Sequence, residues 1–227
     1  MNSCQCCSET FVASSAVERP RLRAVGTAQK TRVSHVLPES SENCDAQLCQ
    51  VLTVGHSTRS IDAFVGLLVA HRVTQLVDVR TVPRSRQNPQ FNAETLPESL
   101  AAAKIGYAHA AGLGGYRRTS AHSANGGWRN LSFRGFADYM QTPDFDADLA
   151  GLIALARDDR VVVMCAEAVP WRCHRSLIAD ALSVRGVTTC EIVGPMRLQP
   201  HRLTPFARVT GHRITYPPEP FVGHDSL

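Results

Sequence analysis

Short apolar runs separated by amphipathic segments are the feature that most limits how this chain can fold. Residues 51–56 and 160–165 are continuous apolar stretches of strand length, which are typical of strands buried on both faces of a parallel sheet. Residues 75–79, 107–111 and 188–193 indicate three further strands, and helices are predicted after Ser60, over 99–104, from Pro143 and over 174–185. This alternation predicts an α/β fold, with a mainly parallel sheet flanked by helices in a single domain.

The periodic pattern begins abruptly at Val51. Residues 1–50 show no lasting period of 2 or 3.6 and are expected to be a disordered or weakly ordered extension. Residues 51–217 then form the α/β domain, and 218–227 form a C-terminal tail. Within the domain, residues 112–134 have no regular period and are predicted to be a long loop or a surface insertion.

The apolar runs and the N-terminal residues indicate the cellular location, which in turn predicts the redox state of the cysteines. No apolar run approaches the ~20 residues that cross a bilayer, and residues 1–10 lack the features of a secretory leader. A cytoplasmic location is therefore expected, without membrane contact. In that setting the eight cysteines should be thiols. The Cys4 and Cys7 pair has zinc-finger spacing, but Cys44 and Cys49 do not complete the pattern.

The basic residues are almost all arginine, since Lys30 and Lys104 are the only lysines, and the net charge is +4. Arginine is suited to bidentate contacts with phosphate or carboxylate groups. A coding bias toward arginine explains the composition equally well, so charge alone does not establish nucleic-acid binding.

Reactive and anion-binding side chains follow the predicted strands. Ligands of parallel α/β sheets bind beyond the carboxyl ends of the strands, so these residues are expected to share one rim. The candidate catalytic residues are His56, Asp78, Cys165 and Glu167. The candidate substrate-binding residues are Ser57, Thr58, Arg80, Arg84, Arg86, Asn88, Gln90, His109, Gly114, Arg172, His174, Arg175 and Ser176.

Each catalytic candidate has a structural alternative, and for His56 in Gly55-His-Ser-Thr58 it is an ordinary turn and helix cap. Glu167 follows a buried strand, so it is either a partly desolvated acid, base or nucleophile, or an ion-pair partner of Arg172 or Arg175. Asp78 is either a base or an acceptor for loop N–H groups. Cys165 is either a nucleophile or a buried structural thiol. The tyrosine-phosphatase pattern requires arginine six positions after the cysteine, whereas Arg172 lies seven positions after Cys165 with no intervening glycine.

A metal centre is not predicted from the sequence. Cys173 and His174 could form part of a metal site, but a site needs more ligands than this pair. No cofactor is therefore expected, although a metal at Cys173 and His174 stays open.

Several ordered motifs together resemble the family called domain of unknown function 488. They are Thr53-Val-Gly-His-Ser-Thr58, Leu76-Val-Asp-Val-Arg80, Pro83-Arg-Ser-Arg86, Asn88-Pro-Gln-Phe91, Leu113-Gly-Gly115, Cys165-Ala-Glu167, Cys173-His-Arg-Ser176, His201-Arg-Leu-Thr-Pro205 and Ile214-Thr-Tyr-Pro217. The resemblance covers about residues 51–217 and implies a small bacterial-type α/β domain without a settled reaction. The cysteine-bearing extension before Val51 has no counterpart in the family pattern.

The residues at the rim favour an enzyme, either a hydrolase or a transferase, that acts on a nucleotide, a nucleoside or another phosphate-bearing metabolite. Glu167 and Asp78 would be its acid and base, and the arginines would hold the anion. Two alternatives remain open. One is a non-catalytic module that binds nucleotides or nucleic acid, and the other is a thiol- or metal-responsive protein that uses Cys165, Cys173 and His174.

Overall fold

A computed structural model describes residues 49–218 of the 227-residue chain. Its strands are β1 (Val51–Gly55), β2 (Gln75–Asp78), β3 (Gly106–His109), β4 (Val161–Cys165), β5 (Thr189–Gly194), β6 (Arg197–Pro200), β7 (Arg208–Thr210) and β8 (Arg213–Thr215). The main sheet has the order β3-β2-β4-β1-β5-β6. Its first five strands are parallel, and β6 pairs antiparallel with β5. The predicted α/β class with a mainly parallel sheet is confirmed.

Helices cover both faces of this sheet. They are α1 (Ile61–Ala70), α2 (Leu96–Ala102), α3 (Leu131–Tyr139), α4 (Pro143–Asp158) and α5 (Arg175–Ser183). Ser60 caps α1 by accepting a hydrogen bond from the N–H of Ala63, as the sequence predicts. Thr142 caps α4 in the same way, and Pro143 occupies the first turn, where its missing N–H costs nothing.

The hydrophobic core has two layers, one on each face of the sheet. Alternate residues of a strand point to opposite faces, so Val161 and Val163 pack with α3, α4 and α5, whereas Val162 and Met164 pack with α1 and α2. All four side chains are fully buried. The central strands are therefore apolar on both faces, which is the reason for their continuous apolar sequence.

Helix α3 begins inside the segment that was predicted to be irregular. Gly135 weakens the helical signal there, because glycine is a poor helix former. Its lack of a side chain is required, since a Cβ atom at Gly135 would lie 2.3 Å from the carbonyl oxygen of Arg117. The polar, exposed strand β6 at the sheet edge was also not predicted, because it lacks the apolar pattern of a buried strand.

Cys49 and Cys190 form a disulfide across 141 residues of sequence, with a Cα–Cα distance of 5.8 Å. The expectation that these cysteines are thiols is therefore wrong. The pairing arises because Cys49 directly precedes β1, and β1 lies beside β5, which carries Cys190. Cys49 is 2 % exposed, so the folded domain includes residues from the predicted extension.

Within residues 49–218, no helix combines the length and apolar character needed to cross a bilayer. Residues 1–48 of the predicted extension and residues 219–227 of the predicted C-terminal tail lie outside the described part of the chain.

Candidate functional site: a cysteine and histidine cluster

The candidate site lies where β1 and β4 end side by side. The chain leaves β1 toward α1 on one face of the sheet and leaves β4 toward α5 on the other face, so a topological switch point lies between them. The N–H groups of His56 and Ser57 donate to the carbonyl oxygens of Cys165 and Ala166, both at 2.9 Å. The two strands therefore extend their pairing into the loops that carry the candidate residues.

Gly55 allows these two loops to approach each other. A Cβ atom at Gly55 would lie 1.9 Å from the carbonyl oxygen of Glu167, a backbone atom that no side-chain rotation can move. Two residues later, Ser57 has a positive φ of 52°, which is uncommon for a residue other than glycine. The turn after β1 is thus shaped by close backbone packing.

Asp78 and Arg80 form a buried ion pair beyond β2. Asp78 is fully buried, and its Oδ2 lies 2.5 Å from Arg80 Nη2. The same carboxylate accepts hydrogen bonds from the backbone N–H and Nε of Arg80 and from the Tyr107 hydroxyl. Arg80 Nη2 also donates to the carbonyl oxygen of Phe91. Both charged groups are satisfied within the protein, which supports the structural alternative for Asp78.

His56 completes this network. Its Nδ1 lies 2.8 Å from the Ser57 carbonyl oxygen, which can only accept, so Nδ1 carries the proton. Nε2 is then the acceptor for Arg80 Nη1 at 3.3 Å, and the ring stacks on Phe91 with 4.2 Å between centroids. Burial lowers the pKa of His56, the nearby charge of Arg80 acts in the same direction, and the hydrogen bond to Ser57 opposes it. Because both ring nitrogens form hydrogen bonds within the protein, His56 is neutral here and has a structural role.

Cys165, Cys173 and His174 form a separate cluster between β4 and α5. The two Sγ atoms and a ring nitrogen of His174 all lie within 4.8 Å of one another. His174 Nδ1 is 4.0 Å from Cys165 Sγ and 3.8 Å from Cys173 Sγ. Cys165 is 9 % exposed and Cys173 is 4 % exposed. Both are free cysteines, so they are available for thiol chemistry or for metal binding.

The orientation of the His174 ring is determined by its surroundings. Nε2 lies 3.2 Å from the Val79 carbonyl oxygen, so Nε2 carries a proton and Nδ1 presents its lone pair to the two sulfur atoms. Phe136 contacts the ring edge to face. On another side, a Cβ atom at Gly115 would lie 2.7 Å from Nδ1. The ring is thus enclosed, and Gly115 is required for this packing.

The two thiols of the cluster differ in acidity. The hydrogen bond between Cys173 and Cys165 lowers the pKa of Cys165 well below that of a free thiol, although burial acts in the opposite direction. The backbone N–H of Glu167 lowers it further. The same hydrogen bond, together with burial, raises the pKa of Cys173. The cluster therefore favours a thiolate at Cys165 with the Cys173 thiol as its donor.

Arg175 supports the loop that joins Cys165 to Cys173. Its side chain is fully buried and pairs with Glu191, with 2.9 Å between Arg175 Nη2 and Glu191 Oε1. The guanidinium also donates to the carbonyl oxygens of Glu167 and Ala168. Glu191 accepts a further hydrogen bond from Thr53. Arg175 is thus a positioning residue for the loop, and its charge is balanced internally.

Glu167 occupies a different environment from the one predicted. Its side chain is exposed, and Oε1 accepts a hydrogen bond from the Val169 N–H at 3.1 Å. The carboxylate is therefore not desolvated. Neither proposed arginine pairs with it in the described residues, because Arg175 pairs with Glu191 and Arg172 is exposed.

The other candidate substrate-binding residues are dispersed around the rim. Arg84 forms an exposed ion pair with Glu94, Gln90 donates to the Arg59 carbonyl oxygen, His109 Nε2 donates to the Arg80 carbonyl oxygen, and Ser176 donates to the Cys173 carbonyl oxygen. Asn88 and Ser57 are partly buried, Thr58 and Arg86 are exposed, and Gly114 packs against Thr81. Most of these side chains therefore make hydrogen bonds or ion pairs within the folded domain.

Sequence reasoning missed two residues that shape the cluster. Gly115 belongs to the noted Gly112–Gly115 stretch, but nothing local shows that it faces His174. Glu191 was overlooked because it lies within an otherwise apolar strand, and a charged residue at such a position is the signal for a buried ion pair. Arg117 holds the glycine stretch by donating to the carbonyl oxygens of Gly112 and Gly114.

The comparisons with known proteins identify a family and no individual relative. Neither the curated proteins nor the solved structures contain a match to the chain. A family model described as "Domain of unknown function DUF488" matches residues 60–182, more than half of the sequence, and covers β2 to β4 and nearly all of α5. The matched segment includes the complete cluster of Cys165, Cys173 and His174, and the chain belongs to this DUF488 family.

Proposed function

We propose that this protein is a thiol-based redox protein in which Cys165 and Cys173 alternate between a dithiol and a disulfide. The proposal depends on one observation, the placement of two free sulfur atoms and His174 Nδ1 within 4.8 Å of one another. Proximity of the sulfurs allows intramolecular disulfide formation, and the imidazole offers an acceptor for the thiol proton. Cys165 and Cys173 are candidate reactive side chains that the fold leaves free.

The differences in acidity and exposure assign different roles to the two cysteines. Cys165 has the lower pKa and is the more exposed of the two residues, so it attacks an external disulfide and forms a mixed disulfide while one thiol leaves. Cys173 then attacks Cys165 Sγ, its proton passes to His174 Nδ1, and the second thiol leaves. Overall, two electrons pass from the protein dithiol to the external disulfide, which is released as two thiols.

A hydrolase or transferase for phosphate-bearing substrates stays a prediction with less support. Three of its anion-binding candidates would have to leave existing partners, since Arg80, Arg84 and Arg175 already pair with Asp78, Glu94 and Glu191. Breaking a buried pair such as Arg175 and Glu191 costs about 3–5 kcal/mol. Thermal shift with nucleotides and sugar phosphates tests this alternative, because a ligand of the native state raises the melting temperature.

The redox proposal is tested by oxidising the reduced full-length protein with oxidised glutathione and mapping disulfides by peptide mass spectrometry. Cys4, Cys6, Cys7 and Cys44 are replaced by serine in every sample, so that their thiols do not contribute. We expect a Cys165–Cys173 disulfide in the parent. Cys173→Ser should accumulate glutathione on Cys165, whereas Cys165→Ser should leave Cys173 unmodified over the same time.

Two results would overturn the proposal or its assignment. Failure of the parent to form the Cys165–Cys173 disulfide would remove the redox function. Glutathione on Cys173 of the Cys165→Ser variant, at the rate seen on Cys165 of the Cys173→Ser variant, would show that the two cysteines do not have the assigned roles. Circular dichroism of each variant checks that the fold is retained.

A further inference from the structure

We infer that Cys165, Cys173 and His174 in their reduced form bind one divalent transition-metal ion of the Zn²⁺ type, with the fourth coordination position left to water or a small ligand. This site goes beyond the proposed redox function, because it requires the imidazole as a ligand and requires no oxidant. Soft thiolate sulfur and imidazole nitrogen are the donors that Zn²⁺ prefers.

The spacing of the cluster fits tetrahedral coordination. With metal–sulfur bonds of about 2.3 Å and metal–nitrogen bonds of about 2.0 Å, adjacent sulfur and nitrogen ligands of a tetrahedron lie roughly 3.5 Å apart. The corresponding distances here are 3.8 Å for Cys173 and 4.0 Å for Cys165, both measured to His174 Nδ1. Shifts of a few tenths of an ångström would bring both sulfur–nitrogen distances to this value. The two sulfur atoms, which lie within 4.8 Å of each other, would have to be about 3.8 Å apart.

The groups around the ligands are those of a metal site. The Val79 carbonyl oxygen accepts the Nε2 proton of His174, which leaves Nδ1 as the free donor atom, and this outer-shell contact is usual for metal-bound histidine. Phe136 and Gly115 restrict the ring, so little rotational freedom remains to be lost on binding.

The surrounding charges allow a divalent cation. Two thiolates and one neutral imidazole balance the charge of the ion. The nearest guanidinium on the following helix, that of Arg175, forms an ion pair with Glu191 and so does not add an unbalanced positive charge. The buried guanidinium of Arg80 is likewise paired with Asp78.

Only three ligands meet at this position. Within residues 49–218, no fourth cysteine, histidine or acidic side chain joins the cluster. Closed structural zinc sites have four protein ligands, whereas sites with two cysteines, one histidine and a water molecule keep an exchangeable position. Cys165 is the more exposed of the two cysteines, so we expect solvent to reach the fourth position from its side.

The test measures Zn²⁺ binding by titration calorimetry and Co²⁺ binding by absorption. The sample is the reduced full-length chain, again with Cys4, Cys6, Cys7 and Cys44 replaced by serine. We expect one ion per chain, proton release on binding, and a thiolate-to-cobalt charge-transfer band with tetrahedral d–d bands. Cys165→Ser, Cys173→Ser and His174→Gln should each weaken Zn²⁺ binding by roughly 100-fold or more, since each removes one of three ligands.

Two matched controls separate this site from the remaining thiols and histidines. His71→Gln removes another imidazole whose Nε2 contacts a carbonyl oxygen, that of Gly194, and should leave Zn²⁺ affinity unchanged. Cys190→Ser tests the sulfurs of the disulfide, which reductant could expose, and should likewise have no effect. An unchanged Zn²⁺ affinity in His174→Gln, or a loss of Zn²⁺ binding in Cys190→Ser, would overturn the inference.

The redox and metal proposals can fail separately. His174→Gln retains both sulfurs, and its glutamine amide can still donate to the Val79 carbonyl oxygen, so it should lose the metal and keep the ability to form the Cys165–Cys173 disulfide. Absence of one-to-one Zn²⁺ binding in a parent protein that forms this disulfide would refute the metal site alone. Zn²⁺ binding without disulfide formation would refute the redox function alone.

Discussion

Arg175 provides the most direct test of how the loop between Cys165 and Cys173 is held. Its guanidinium is fully buried, pairs with Glu191 and donates to the carbonyl oxygens of Glu167 and Ala168. Arg175→Met retains much of the apolar volume but leaves Glu191 as a buried charge without its partner. Breaking such a pair costs about 3–5 kcal/mol. Loss of the hydrogen bonds to the Glu167 and Ala168 carbonyl oxygens acts in the same direction.

The expected change is large enough for thermal denaturation. For a domain of this size, each kcal/mol lowers the melting temperature by roughly 2–4 °C, so Arg175→Met should lower it by roughly 6–20 °C. Arg185→Met is the control. Its ion pair with Asp146 is largely solvent-exposed on the carboxylate side, and such a pair contributes at most about 1 kcal/mol.

The pH dependence identifies the unpaired carboxylate as the cause. Burial already raises the pKa of Glu191, and loss of Arg175 removes the main opposing charge, so the pKa should rise further. A carboxyl group whose pKa is higher in the folded than in the unfolded state stabilises the fold most at low pH and loses that contribution as pH rises through the folded-state pKa. Arg175→Met should therefore be more destabilised at pH 8 than at pH 5, relative to the parent.

A double variant completes the test. Adding Glu191→Gln to Arg175→Met replaces the unpaired charge by a neutral amide and should recover about 1 kcal/mol or more. If Arg175→Met melts within about 2 °C of the parent, the pair with Glu191 does not stabilise the fold as expected. If the double variant is no more stable than Arg175→Met at pH 8, the buried charge of Glu191 is not the source of the lost stability.

Three other outcomes follow from local contacts. Glu167→Gln should change unfolding free energy by no more than about 0.5 kcal/mol in urea denaturation, because the side chain is exposed, and a loss above about 2 kcal/mol would indicate a buried charge. Gly55→Ala should lower the free energy of unfolding by about 1–3 kcal/mol or more, because its Cβ atom clashes with the Glu167 carbonyl oxygen. Gly66→Ala, whose Cβ atom contacts nothing within 4 Å, should raise it by about 0.5–1 kcal/mol. Equal effects of the two substitutions would contradict this prediction. Cys49→Ser should lower the free energy of unfolding by about 2–5 kcal/mol, because it removes the Cys49–Cys190 disulfide. Reductant should lower the melting temperature of the parent to that of this variant. Equal melting temperatures of the oxidised parent and the variant would show that the disulfide does not stabilise the fold.

The sheet could be predicted from the chain because its signals are local. Continuous apolar runs at β1 and β4 indicate strands buried on both faces, and Ser60 and Pro143 mark helix starts through contacts within one turn. The alternation of these elements also predicts that the ends of β1, β2 and β4 share one rim. Helix α3 and strand β6 were missed where a tertiary contact or an exposed edge replaces the usual pattern.

The roles of the rim residues depended on partners far away in sequence. Arg175 and Glu167 are eight residues apart, and an ion pair between them was one of the alternatives for Glu167, yet Arg175 turns inward to Glu191 on β5 and leaves Glu167 in solvent. Cys49 pairs with Cys190 because β1 lies beside β5. Cys165 and Cys173 meet at His174 only because the loop after β4 returns to the start of α5. Such contacts are set by sheet order and side-chain rotamers, and neither quantity is encoded by the spacing of residue types along the chain.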